Sequence, residues 1–213
     1  MLKSKLFTVL GLTVALAAAA GFTAGDDKAA TAKIGEKAPA FSLTGIDGKQ
    51  VSLKDYAGKI VVLEWVNPGC PICKGAHVDG RIPGMIKELK DLGVVHLAIN
   101  STSTTTAEEN AEALKKYGIE YTVLLDNDGT VGHAYGAKTT PHMYVIDTDG
   151  VLRYNGALDN GGPQGKAKEG ETLVNYAVQA VKQIKAGETV SPTETKSYGC
   201  SVKYGKPAAA PKP

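Results

Sequence analysis

The chain has 213 residues, 24 Lys and Arg against 22 Asp and Glu, and a hydrophobic fraction of 43%. That length fits one domain with extensions, and that fraction supports a packed core and excludes wholesale disorder. A net charge of +2, with no dense Lys/Arg run, argues against the clustered phosphate contacts of a nucleic-acid binder.

The chain starts with the basic stretch Met1-Leu-Lys-Ser-Lys5, then an apolar run over residues 6–20, then small residues suited to cleavage. This layout predicts a secretory signal peptide over residues 1–24, too short for a membrane span. No cysteine follows the run to take a lipid anchor, and no later stretch is long and apolar enough to cross a bilayer. The protein is therefore expected in the periplasm or secreted, where disulfides persist. Residues 25–33 read as a flexible linker, 34–204 as one domain, and the Ala/Pro/Lys-rich residues 205–213 as a disordered tail.

Within the domain, Phe41-Ser-Leu43 and Gln50-Val-Ser-Leu53 flank Gly45-Ile-Asp-Gly48, which predicts an N-terminal β-hairpin. Lys59-Ile-Val-Val-Leu63 is a near-continuous apolar strand of the kind buried on both faces, and Asn67-Pro-Gly69 after it is a loop. A helix opens at Cys70 and runs to about residue 78, and residues 83–92 continue it. Pro83 places a break near Arg81 and Ile82. Residues 94–100 are a second buried strand. Thr106 with Glu109 forms a capping box for a helix that Gly118 ends. Residues 121–125 read as a strand and 129–135 as a short helix. Residues 143–146 and 151–155 are strands around the turn Asp147-Thr-Asp-Gly150. A Gly- and Lys-rich loop over 159–170 leads to a last helix over 172–186, with Leu173, Val174, Ala177, Val181 and Ile184 at helical spacing. The predicted class is α/β: a central mixed β-sheet flanked by helices, with an N-terminal β-hairpin.

Cys70-Pro-Ile-Cys73 carries the chemistry. Two cysteines three apart on the first turn of a helix can close a disulfide or present a dithiol, and the helix N-terminus stabilises a thiolate. Pro71 suits the first helical position, where a missing N–H costs nothing. Cys70 is expected to be the more exposed and more acidic thiol, and Cys73, one turn on, to resolve its mixed disulfides. A static bridge across so short a loop adds little stability, and a lone CxxC without a second pair is a poor zinc site. No metal or other cofactor is expected. Cys200, the odd cysteine, stands as a free thiol, a third redox partner or an intermolecular link.

Val61-Val-Leu-Glu-Trp-Val-Asn-Pro-Gly-Cys-Pro-Ile-Cys-Lys74 resembles the active-site strand, loop and helix of thioredoxin-fold proteins, and Thr139-Thr-Pro-His-Met-Tyr-Val-Ile-Asp147 resembles their loop before the hairpin. The lead-in Gly35-Glu-Lys-Ala-Pro39 and the hairpin after it resemble peroxiredoxin-like members of the AhpC/TSA type. Residues 195–204 also resemble a secreted subgroup of these. The resemblance implies a thioredoxin-like fold and a thiol-disulfide oxidoreductase with a redox-active disulfide. Its partners would be thiol- or disulfide-bearing proteins and a redox partner that resets it. It places Glu64 as a buried acid beneath the site, trading a proton with Cys73; an ordinary strand-end salt bridge is the alternative. Pro141 would be a cis-proline against the CxxC, and the backbone of Thr140 would pair with an extended substrate. Trp65 joins this substrate-side group, more as packing beneath the site than as a direct participant.

Two other functions compete. An antioxidant thiol peroxidase of this family has Thr or Ser three residues before its reactive cysteine, and a remote arginine. Here those positions hold Asn67 or Cys70, and the two arginines, Arg81 and Arg153, lie in no such motif. A copper-binding chaperone would draw His77 and His142 together with the cysteines.

Overall fold

The structure, a computed structural model, describes residues 32–119 and 121–205. The predicted signal peptide, most of the linker and nearly all of the tail lie outside the described residues.

The elements, numbered in chain order, begin with the expected hairpin: β1 (Ser42–Gly45) antiparallel to β2 (Gln50–Ser52). β3 (Val61–Trp65) is buried along its whole length and runs parallel to β4 (Val95–Asn100). β4 is parallel to β5 (Val123–Leu125), and β1 closes on β5 antiparallel. On the other side of β3 lies antiparallel β7 (His142–Ile146), followed by β8 (Leu152–Gly156). The sheet order is β2-β1-β5-β4-β3-β7-β8. A separate two-stranded sheet joins β6 (Thr139–Thr140) to β9 (Cys200–Ser201). The helices are α1 (Pro71–Val78), α2 (Arg81–Asp91), α3 (Ala107–Tyr117), α4 (Thr130–Tyr135) and α5 (Tyr176–Ala186).

Strand alternation sends side chains to two cores. Val62, Met143, Val145 and Tyr154 meet Ala76 of α1, Ile82 and Leu89 of α2, and Ala177 and Val181 of α5. Val61, Leu63, Trp65, Leu97, Ile99 and Tyr144 face the opposite side, against Val131 and Tyr135 of α4 and Phe41. With both faces covered, a central strand is apolar where it meets the two cores, and this explains the unbroken run at 60–63.

The break between the first two helices comes earlier than Pro83 suggests. Gly80, in the left-handed region at φ 86°, starts α2. Pro83 then falls in that helix's first turn, where an N–H has no intrahelical partner to lose. The last helix starts later than its apolar spacing predicts. The Asn175 side chain accepts the Val178 N–H at 3.0 Å and caps it, so Leu173 and Val174 precede the helix. The third parallel strand likewise begins at Val123 rather than at residue 121.

Candidate active site

β3 delivers the chain into a tight loop in which Asn67 Oδ1 accepts the Gly69 N–H at 2.7 Å and the Asn67 carbonyl accepts the Cys70 N–H at 3.0 Å. That turn sets Cys70 as the N-cap of α1, with Pro71 next in the helix. The Cys70 sulfur accepts the Cys73 N–H at 3.4 Å and donates to the Thr140 carbonyl at 3.2 Å. Burial opposes ionisation of Cys70. Hydrogen bonds from the Cys200 side chain and the Cys73 amide outweigh it and leave the thiol more acidic than an ordinary cysteine. Cys73 goes the other way: burial first, then the negative charge of Glu64, push its pKa well up. The expected order of acidity is therefore present, but the expected exposure is not. Cys70 is 1% and Cys73 2% exposed, because the chain's own C-terminal segment lies over the helix mouth.

Beneath Cys73 is a buried polar cluster. Glu64 is fully buried, and its Oε2 accepts from His96 Nε2 at 2.9 Å. Its Oε1 has no hydrogen-bond partner. The register explains the pair: His96 lies opposite Val62, so it shares a sheet face with Glu64 as its diagonal neighbour. A Glu64 carboxylate oxygen, Cys73 Sγ and a ring nitrogen of His77 lie within 4.8 Å of one another. His77 Nε2 and the Tyr121 hydroxyl share a hydrogen bond at 3.0 Å, and burial lowers the pKa of His77. Glu64 thus has a hydrogen-bond partner in His96 and also sits under the thiol. Sequence reasoning passed over His96 and Tyr121. The period-2 pattern of β4 was the available signal for His96, whereas nothing local marked Tyr121.

Other expected residues fall differently. The Thr140–Pro141 peptide is cis and lies against Cys70, as the resemblance implies. Trp65 is fully buried; its indole N–H donates to Ser101 Oγ at 2.9 Å, and its ring packs on Tyr135 and Tyr144. In this arrangement Trp65 packs beneath the site and touches its surface nowhere. His142 lies opposite Trp65 in the register, on the sheet face away from Glu64 and Cys73. Its ring is held by Asn155 Oδ1 at 2.8 Å and the Lys138 N–H at 3.2 Å. His77 and His142 therefore do not converge, and the copper set built on both is not formed. Arg81 binds Asp79, Asp159 and Tyr198, and Arg153 binds Asp147. Both guanidiniums are thus committed to partners other than the cysteines.

Residues 34–155 match the AhpC/TSA family. The thiol-disulfide oxidoreductase ResA of Bacillus cereus is 30% identical over 158 residues, which are 71% of this chain and 87% of that protein. An uncharacterized conserved protein from Geobacillus kaustophilus is similar in structure at a TM-score of 0.70 and 26% identity, covering 83% of this chain and 94% of its own. A candidate thiol:disulfide interchange protein DsbE from Chlorobium tepidum, 27% identical, covers 59% of this chain and 85% of its own at a TM-score of 0.52. The fold is thioredoxin-like, with a central mixed sheet between helices.

Proposed function

The chain belongs to the AhpC/TSA family of redox enzymes, and from that premise we propose that it is an extracytoplasmic thiol-disulfide oxidoreductase exchanging disulfides with protein substrates through Cys70 and Cys73. The observation that carries this reading is the unequal pair at one helix mouth: an acidified Cys70 at the N-cap and a proton-holding Cys73 one turn inside, above Glu64. The Cys70 thiolate attacks a substrate disulfide, forming a mixed disulfide and releasing one substrate thiol. Cys73 then attacks the Cys70 sulfur, which forms the Cys70–Cys73 bond and frees the second substrate thiol. Glu64 takes the proton that Cys73 must lose, acting as general base across a short buried gap. The backbone of Thr140, beside the cis-proline, receives an extended substrate segment. A second thiol protein resets the pair.

Three lines support these finer points. ResA, similar over most of both chains, is named for this chemistry. Both arginines are engaged elsewhere, which leaves a peroxide without the cation a peroxidase supplies. The leading residues have the layout of a cleaved signal, and among the described residues no helix is long and apolar enough to cross a membrane.

Insulin disulfide reduction and hydrogen peroxide consumption, measured on wild type, Cys70→Ser and Cys73→Ser, test the assignment. Wild type should reduce insulin, Cys70→Ser should be inactive, and Cys73→Ser combined with Cys200→Ser should accumulate mixed disulfides. Cysteine-dependent peroxide consumption without insulin reduction would replace this reading with the peroxidase one.

A further inference from the structure

The exchange between Cys70 and Cys73 leaves the third cysteine unused, yet the fold brings it to the same site. β9 runs antiparallel to β6, with Cys200 opposite Thr140 and Ser201 opposite Thr139. The Val202 N–H extends the pairing to the Lys138 carbonyl at 3.0 Å. The approach is so close that only glycine fits beside it. Gly199 has φ +128°, and a Cβ there would lie 2.1 Å from the Thr140 carbonyl oxygen, the same oxygen that meets Cys70 Sγ. Cys200 packs against the apolar cluster that contains Cys70 and Cys73.

The strand is anchored on both sides. Before it, the Tyr198 hydroxyl donates to Asp159 at 2.8 Å and accepts from Arg81 at 3.2 Å. After it, the Tyr204 hydroxyl donates to the Ala137 carbonyl at 2.8 Å, and its ring stacks on His133 at 4.0 Å. An extended segment therefore lies paired on the backbone of Thr140, the edge proposed above to receive substrate, with its cysteine packed against Cys70 and Cys73.

We propose that Cys200 is a third redox cysteine, carried on an internal strand that stands in for substrate, and that it exchanges with the Cys70–Cys73 disulfide to form a Cys70–Cys200 disulfide. The inference rests on the exchange reading of Cys70 and Cys73. The step is redox-neutral. The Cys200 sulfur, having given up its proton, attacks Cys70 Sγ, and the Cys70–Cys200 bond forms. The Cys70–Cys73 bond breaks, its electron pair leaves on the Cys73 sulfur, and Cys73 takes up a proton. Burial and the Glu64 charge favour that protonated Cys73. Substrate and strand need the same backbone edge, so the closed disulfide forms only after substrate has left. An incoming thiol must displace the strand to reopen the site.

The test is a disulfide map of the purified wild-type chain and of Cys73→Ser after mild oxidation with oxidised dithiothreitol, with free thiols alkylated before trypsin digestion. Trypsin leaves Cys70 and Cys73 together on residues 60–74 and Cys200 on 197–203. The expected result is a linked 60–74/197–203 pair in monomeric protein, with the alkyl group shifted from Cys200 to Cys73 in a measurable share of wild-type molecules. In Cys73→Ser, where no competing bond exists, the linked pair should dominate. Gly199→Ala, which crowds the strand off Thr140, should reduce the linked share. Cys200 alkylated in all oxidised molecules of both proteins, or bridging two chains, overturns the proposal. Insulin reduction by the same wild-type preparation separates the two failures. Intact turnover with Cys200 always free removes the internal strand alone, whereas no turnover removes the exchange reading beneath it.

Discussion

Cys73 shows how one side chain's chemistry depends on a residue nine positions earlier. Its raised pKa comes from burial and then from Glu64, so Glu64→Gln removes the second cause and should lower the pKa of Cys73. Thiolate ultraviolet absorbance, titrated in a Cys70→Ser, Cys200→Ser background, should show the midpoint moving to lower pH. With Glu64 as the proposed proton acceptor for Cys73, resolution of mixed disulfides should slow in the same variant. His142 gives a pH effect on stability instead of activity. Burial lowers its pKa from the ordinary 6.5 to about 4. Between those values the unfolded chain binds a proton that the folded chain does not, so stability is full above pH 6.5 and falls as pH drops towards 4. The loss reaches about 3 kcal/mol, and His142→Gln should flatten this part of the curve in urea melts at successive pH values. Glu64 was legible from its distance to Cys70. The buried setting of His142 was not, because only the register puts it against Trp65.

At the level of elements, local signals were read well wherever the chain states its own boundary. Thr106 accepts the Glu109 N–H at 3.2 Å while Glu109 accepts the Thr106 N–H at 2.9 Å, and Gly118 closes α3 in the left-handed region. Thr106→Ala should destabilise the protein by about 1 kcal/mol, readable as a shift in the urea midpoint with an unchanged slope. Boundaries set by two competing signals fall where the stronger one acts. In α5 the apolar spacing starts at Leu173, but the Asn175 cap decides the first turn. Near Pro83 the proline draws attention, yet the break is at Gly80, whose left-handed backbone ends one helix direction and begins another.

Across the whole molecule, one buried ion pair joins three distant parts of the chain. Arg81 at the start of α2 and Asp159 after β8 are 8% and 2% exposed at their side chains and lie 3.1 Å apart. Tyr198, just before β9, bonds both. Arg81→Leu strands the Asp159 carboxylate and should cost roughly 3 kcal/mol or more. Tyr198→Phe leaves the ion pair standing and should cost about 1 kcal/mol. Chemical denaturation of both variants checks the order. Equal losses would mean that the pair and the hydroxyl act as one unit.

The α/β class, the hairpin, the helix caps and the CxxC at a helix mouth were determined by the sequence alone, because each depends on residues within a turn or two of one another. So was the presence of a dithiol on a first helical turn, where the amide of Cys73 meets the Cys70 sulfur. Tertiary structure alone decided which groups surround that dithiol. It set His96 beside Glu64, His142 on the opposite sheet face, Trp65 in the core between Tyr135 and Tyr144, and Cys200 across from Thr140. These placements follow from strand register and from the path of a C-terminal segment that returns 130 residues after Cys70. Contacts at that separation are selected by the packing of the whole chain, and no local pattern encodes them.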